Sequence, residues 1–192
     1  MHFSVDHIES ELETQLKQII HRHTGIMRDL RLVRSHGLPD WYIAAGYIRS
    51  AVWDELHGFE PRDRHDDIDV IYYDPSDCSE AVEKELEQAL KQQTGNPKWS
   101  VKNQARMHIR NGDAPYESSA DAMSLWPETA TGIGVRLDDE AELQIAAPYG
   151  LDDLFNMVLR RSPRFENREY YLQRMRTKQW HLSWPKLQVI ED

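Results

Sequence analysis

The sequence predicts an α+β domain whose helices pack mainly on one face of a mixed sheet. Three observations carry that expectation. Apolar residues recur at three- and four-residue steps in several segments, the mark of amphipathic helices. Short apolar runs bounded by glycine or proline mark buried strands. The two kinds of segment do not alternate strictly, so repeated strand–helix–strand units are not expected. With 192 residues the chain is long enough to bury a core, and residues 1–192 are expected to form one domain. Within it, residues 1–24 form an N-terminal helix and 163–192 a C-terminal helix and tail.

The elements follow in order. Val5 to His23 reads as a helix with Ile8, Leu12, Leu16, Ile19 and Ile20 on one face. "WYIAAG" is a strand ending at Gly46, and "YIRSAVWDELHG" is a helix with Ile48, Val52 and Leu56 inward and Gly58 as its stop. "FEPRDRH" is a polar connection, after which "IDVIYY" is a buried strand. Ser76 is placed to cap the next helix, "DCSEAVEKELEQALKQQ", striped by Val82, Leu86 and Leu90. "WSVKNQARMHIRNG" reads as extended throughout, with Val101, Asn103, Ala105 and Met107 on one side. "SSADAMSLWPETA" is a short helix and turn; "TGIGVRLDDEAELQIAAPYG" is a hairpin with Asp138 and Asp139 at its tip. "GLDDLFNMVLRRSP" reads as a helix, and a basic, aromatic helix and tail close the chain.

Composition narrows the function classes. Hydrophobic residues are 40% and charged residues 29% of the chain, a globular balance. A net charge of -10 without a Lys/Arg run argues against broad binding to nucleic-acid backbones, which requires cations against phosphates. The single cysteine, Cys78, cannot form an internal disulfide and suits a reducing cytoplasm. The N-terminus lacks the basic and apolar regions of a signal peptide, and no apolar run reaches the roughly 20 residues of a membrane span.

The stretch "HDDIDVIYYD" carries the chemistry. Asp67 and Asp69 stand two apart at the start of a strand, hence on one face and roughly 7 Å apart. Either water solvates both charges, or they converge on a hard divalent cation such as Mg²⁺ that also binds phosphate. The apolar run follows the carboxylates, whereas haloacid-dehalogenase-type phosphatases place Asp-x-Asp after such a run. A calcium loop counted from Asp67 would need glycine where Tyr72 stands. His65-Asp66 matches a metal-dependent phosphohydrolase pair but sits in a loop entering a strand rather than on a helix.

A glycine turn opening a helix, followed by Asp-x-Asp opening the next strand, resembles the nucleotidyltransferase superfamily typified by DNA polymerase β. More narrowly, "AAGYIRSAVWDELHG", "HDDIDVIYYD", "NQARMH", "WPETATGIGVRL" and "APYGLDDLF" together resemble a bacterial nucleotidyltransferase-like family, formerly a domain of unknown function. The resemblance runs from Trp41 to Leu187. It implies a nucleotidyltransferase-like mixed sheet, Mg²⁺ held by Asp67 and Asp69 as the catalytic pair, and an NTP bound by Gly46, Tyr47, Arg49 and Ser50. The implied reaction moves an NMP group to an acceptor hydroxyl on a small molecule, a protein side chain or an RNA end.

Two features depart from the superfamily pattern. Tyr47 follows Gly46 where glycine or serine is usual. The expected third carboxylate is also missing from the stretch after the second helix, which offers Asn103 as a neutral metal ligand; Glu142 and Asp121 are more remote acids. A degenerate nucleotide-binding module is therefore the alternative, with an interaction protein working through the C-terminal helix behind it. Arg106 and His108 either line an anionic pocket or make structural salt bridges. Arg136 needs a partner or a ligand. Tyr170, Tyr171, Trp180 and Trp184 either stack on bases or pack in the core.

Overall fold

A computed structural model describes residues 5–60 and 67–191. His65 and Asp66 lie outside the described residues, so the phosphohydrolase-like pair is not addressed further. No described helix is long and apolar enough to cross a membrane.

The chain begins with α1 (Val5–Arg22) and α2 (Thr24–Arg34). The second of these had no counterpart in the sequence reading, although Ile26, Met27, Leu30 and Val33 give it a buried stripe. Then come β1 (Tyr42–Ala44), α3 (Gly46–His57), β2 (Ile68–Tyr72), α4 (Glu80–Thr94) and β3 (Trp99–Asn103). Gly58 ends α3 in the left-handed conformation, at φ 66°, as expected of a glycine helix stop.

Ser79 occupies the position before α4, while Ser76 instead closes a turn by donating from its backbone to Asp74 at 2.9 Å. The extended reading of "NQARMHIRNG" also fails. β3 stops at Asn103, and α5 (Gln104–Asn111) follows because the Asn103 side chain accepts from the Ala105 amide and caps a run of good helix formers. Arg106 and His108 therefore lie on a helix.

The remaining elements are α6 (Ser119–Ser124), β4 (Gly134–Leu137), β5 (Leu143–Ala146), α7 (Asp152–Phe155), β6 (Val158–Leu159), α8 (Arg168–Lys178), α9 (Trp180–Ser183) and β7 (Gln188–Val189). The β4–β5 hairpin is as expected. The helix expected from Gly150 to Pro163 shrinks to the single turn of α7, after which Val158 and Leu159 pair in parallel with Gln188 and Val189.

Among the described residues the main sheet has the order β3-β2-β1-β4-β5. Only the β2–β3 pair is parallel, so the sheet is mixed. The period-two alternation of β2 divides its side chains between two faces. Ile68, Val70 and Tyr72 join Ile43, Val101 and Val135 in the main core, with Leu30 from α2 and Ile48, Val52 and Trp53 from α3. Ile71 points the other way, into a smaller cluster with Tyr42, Ala44, Ala146 and Met123 of α6. This is the α+β arrangement expected, with the larger helical layer on one face.

The C-terminal segment is tied to α3. Trp184 is buried, donates from Nε1 to Asp54 Oδ1 at 2.9 Å and meets Trp53 edge-on at 5.2 Å. Tyr171 is fully buried and its hydroxyl donates toward the Leu159 and Ile190 carbonyls at 2.9 and 2.7 Å. Most of the C-terminal aromatics are therefore core residues.

Candidate active site

Asp69 lies on the less covered face of the sheet, in a row that crosses all the main-sheet strands. Its register neighbour on β3 is Ser100 and on β1 Ala44, and the row continues through Gly134 to Ala146. The small side chains beyond Asp69 keep the floor low. Gly134 is required there, since a Cβ would come within 2.8 Å of the Tyr42 Cβ.

A pocket of about 280 Å³ opens above this row. Its wall includes Asp69, Lys102 of β3, Ala45, Thr131, Trp126, and Tyr170 and Arg174 of α8. The Asp69 carboxyl is pushed up to about 6, chiefly by burial and secondarily by the neighbouring charge of Asp67; a hydrogen bond from Ser100 and the charges of Lys102 and Arg174 pull the other way. Asp67 itself is 71% exposed, with Lys98 Nζ 3.9 Å from its carboxylate. The charge of Asp67 thus reaches Asp69, which lines the pocket.

The glycine turn lies beside them. Ala45 leaves β1 at φ 59° and ψ -134°, a region that favours glycine and costs an alanine on the order of 1 kcal/mol or more. Its amide donates to the Ile133 carbonyl at 3.1 Å and its carbonyl accepts from the Arg49 amide at 3.0 Å, which fixes the start of α3. The special conformation therefore falls on the residue before Gly46 rather than on Tyr47 after it. A Cβ on Gly46 would meet only Arg49 Nη2, at 3.7 Å, so this glycine leaves open space at the helix start.

The other residues expected to bind nucleotide are placed as follows. Tyr47 turns toward α2 and donates to Asp29 Oδ2 at 2.7 Å. Arg49 is buried beneath the pocket, donating from Nη1 to Thr131 Oγ1 at 2.6 Å, with its guanidinium 4.0 Å from the Trp180 ring centroid and 4.7 Å from that of Trp53. Ser50 is buried within α3. Arg49 thus supports a pocket-lining hydroxyl, while Tyr47 faces a different helix.

Asn103 does not have the geometry of a metal ligand. Its Nδ2 donates to the Asp74 and Asp77 carbonyls at 2.8 and 2.9 Å, and its Oδ1 accepts from the Asp74 and Ala105 amides, both at 3.0 Å. Both lone pairs of that oxygen are engaged. Glu142 is exposed beside the hairpin tip, just before β5, the edge strand beyond β1 and β4 from β2. Asp121 accepts from Arg164 Nη1 at 2.6 Å, away from the Asp69 pocket. Among the described residues no group of three or more His, Cys, Asp or Glu side chains is arranged to hold a metal.

Arg106 forks onto Glu83 at 2.7 and 2.6 Å, making it a structural salt bridge. Arg136 lies 5.4 Å from the Tyr42 ring centroid and hydrogen-bonds that residue.

Sequence reasoning missed Lys102 and took Arg174 only as one of the basic residues of the C-terminal helix. Lys102 follows Ser100 by two on β3 and so shares its face, a signal hidden while the strand was read as continuing through Met107. Arg174 is brought in by topology and aimed by Glu128, a fully buried carboxylate that accepts from Arg174 Nε at 2.6 Å. No local pattern announces that pair.

The family model described as Nucleotidyltransferase matches residues 31–189. An NMR structure said to reveal a CCA-adding enzyme head domain is 35% identical, covers 92% of this chain and 95% of its own, and superposes with a TM-score of 0.82. Two structures of tRNA-processing enzymes are 18% and 16% identical, with TM-scores of 0.50 and 0.51, and each covers 91% of this chain. The likeness to those two is one of fold, and this chain spans only 44% and 43% of their length. No curated protein matches. With an acidic pair and a glycine turn on a mixed sheet, and with a family match covering most of its length, this chain belongs to the nucleotidyltransferase family.

Proposed function

We propose that the chain is a Mg²⁺-dependent nucleotidyltransferase that moves an NMP group from an NTP to an acceptor hydroxyl and releases pyrophosphate. The observation that carries this reading is the position of Asp69, in a pocket whose wall also holds Lys102 and Arg174. A carboxylate raised to about 6 by burial and by Asp67, in a pocket that also presents Lys102 and Arg174, is an under-compensated negative site beside positive ones. Two hard oxygen donors without nitrogen or sulfur partners fit Mg²⁺, which takes its remaining ligands from water and phosphate. Asp67 and Asp69 would hold it. When bound, the cation neutralises phosphate charge and favours ionisation of the acceptor hydroxyl.

The chain's own groups do the rest. Lys102 and Arg174 supply positive charge for the oxygens of the leaving pyrophosphate. Glu128 fixes the Arg174 fork, so that little side-chain freedom is lost on binding. The Ala45–Gly46 turn brings bare backbone to the same pocket, and Trp126 and Tyr170 offer ring faces to a base. The acceptor oxygen forms its new bond to the α-phosphorus as the bond to the bridging oxygen breaks, and the hydroxyl proton leaves to solvent.

A second reading keeps the fold and the nucleotide without turnover. It is favoured by the engagement of Asn103 and by the absence, among the described residues, of a third acid in this pocket. Calorimetric titration of ATP, GTP, CTP and UTP with and without Mg²⁺, on wild type and Asp67→Asn/Asp69→Asn, tests the site. Metal-dependent binding lost in the double variant is expected. Binding indifferent to both changes would refute the proposal, and metal-dependent binding without pyrophosphate release in an acceptor screen would favour the second reading.

A further inference from the structure

A second cavity, about 710 Å³, adjoins the Asp69 pocket. The two share Asn111, Trp126, Pro127 and Tyr170 as a common wall. Its volume lies within the range that holds a small ligand. In-line transfer needs an acceptor next to the nucleotide, on the side away from the leaving pyrophosphate. The nucleotide pocket is the smaller of the two, and this neighbour is the space an acceptor would enter.

The lining states what kind of acceptor. Aromatic rings come from Tyr116, Trp126, Phe165 and Tyr170, and hydrogen-bonding groups from Asn111 and Asn167. Charge is contributed by Asp113, Asp121 and Glu166 against Arg164 alone. Arg164 is already committed to Asp121 at 2.6 Å and to Ser124 Oγ at 2.5 Å. Asp113 accepts from the hydroxyl of Tyr116, another lining residue, which fixes its carboxylate in the cavity wall. Glu166 is exposed at the rim. The cavity therefore carries excess negative charge among ring faces, in a chain of net charge -10. Such a surface repels a phosphodiester backbone and attracts an ammonium group, while aromatic faces and carboxylates together suit a hydroxyl-rich ring.

We propose that this cavity is the acceptor site, and that it selects a small, polyhydroxylated molecule bearing a positively charged amine. The proposal rests on the nucleotidyltransferase reading for the word acceptor, but not for the binding itself. Three probes with one ring and three charges test it: glucosamine, glucose and glucuronate, followed by saturation-transfer NMR on the whole chain. An RNA oligonucleotide ending in a free 3′-hydroxyl is the competitor.

Glucosamine is expected to bind about tenfold more tightly than glucuronate, with glucose between. Glu166→Gln, at an exposed position, should reduce that preference severalfold, and Asp113→Asn with Glu166→Gln should abolish it, while ATP–Mg²⁺ affinity changes less than twofold. Equal binding of the three sugars would overturn the proposal, as would a preference untouched by the variants. So would RNA that displaces glucosamine and binds more tightly to the variants than to wild type. Loss of ATP–Mg²⁺ binding alongside an intact glucosamine preference would remove the nucleotidyltransferase reading and leave the cation-selective cavity standing.

Discussion

The two faces of the main sheet are made by the same strands and have opposite characters. On one face β2 contributes Ile68, Val70 and Tyr72 to a core that also holds Ile43, Val101 and Val135. On the other face, one residue out of step, it contributes Asp69 beside Ser100 and Lys102. The first face is apolar and sealed by helices; the second is partly covered by α6 and left open over Asp69. A strand's alternation thus lets five residues serve both as core and as reactive surface, provided the helices leave part of one side bare. The difference also separates what substitutions should do: changes to the sealed face cost stability, and changes to the open face cost binding.

The largest expected effect is on the sealed side. Ile43→Ala should lower unfolding free energy by about 3 kcal/mol, because it removes buried methylenes and leaves a cavity between β2 and β4. Urea denaturation measures it, and nucleotide affinity per folded molecule should stay within twofold.

Next comes the reverse behaviour at Asp69. Burial pushes its folded carboxyl up to about 6, above the ordinary carboxylate range, so the folded state holds this proton more tightly than the unfolded chain does. That contribution is fully present below about pH 4 and is lost as pH rises through about 6. Asp69→Asn should therefore leave stability unchanged at low pH and raise it by up to roughly 3 kcal/mol at pH 8 in the absence of Mg²⁺. Denaturation curves across that range, with EDTA present, check both the sign and the window. Equal stability of the two proteins at pH 8 would mean that Asp69 is better compensated than its burial implies.

A smaller effect is expected at Arg174. Arg174→Lys keeps the charge but loses the planar fork held by Glu128, and should weaken nucleotide binding about tenfold. The smallest is at Lys98, whose pair with Asp67 is long and exposed on both sides. Lys98→Ala should change stability by less than about 0.5 kcal/mol. A larger loss there would show that the Asp67 carboxylate depends on its lysine.

Part of this division was legible in the sequence: a spacing of two puts Asp67 and Asp69 on one face, although the apolar run through Tyr72 reads as a buried strand. Asp67, Asp69 and Ile71 alternate with Ile68, Val70 and Tyr72, and only one register puts the apolar set inside. The glycine turn and the hairpin were legible from local chemistry in the same way. The segment after β3 misled because Asn103 and Met107 satisfy both periods: they share a face in an extended chain and are also four apart on a helix. The capping bond from the Ala105 amide to Asn103 decides for the helix, and with it places Arg106 against Glu83 rather than in a pocket. The strain at Ala45 was not legible, because its identity does not advertise the backbone conformation it carries. Lys102 and Arg174 were hidden for a different reason. Their roles come from strand pairing and from a helix about a hundred residues away, and neither has a local signature.

That distance has a consequence in time. At roughly 5–20 residues per second, synthesis delivers Arg174 some 5 to 20 s after Asp69. Through that interval the sheet can begin to pair while the α8 wall, with Tyr170 and Arg174, does not yet exist. The nascent chain therefore carries Asp69 and Lys102 before the wall that completes their pocket. On the proposed function, the order of synthesis makes docking of α8 the step that completes the nucleotide pocket.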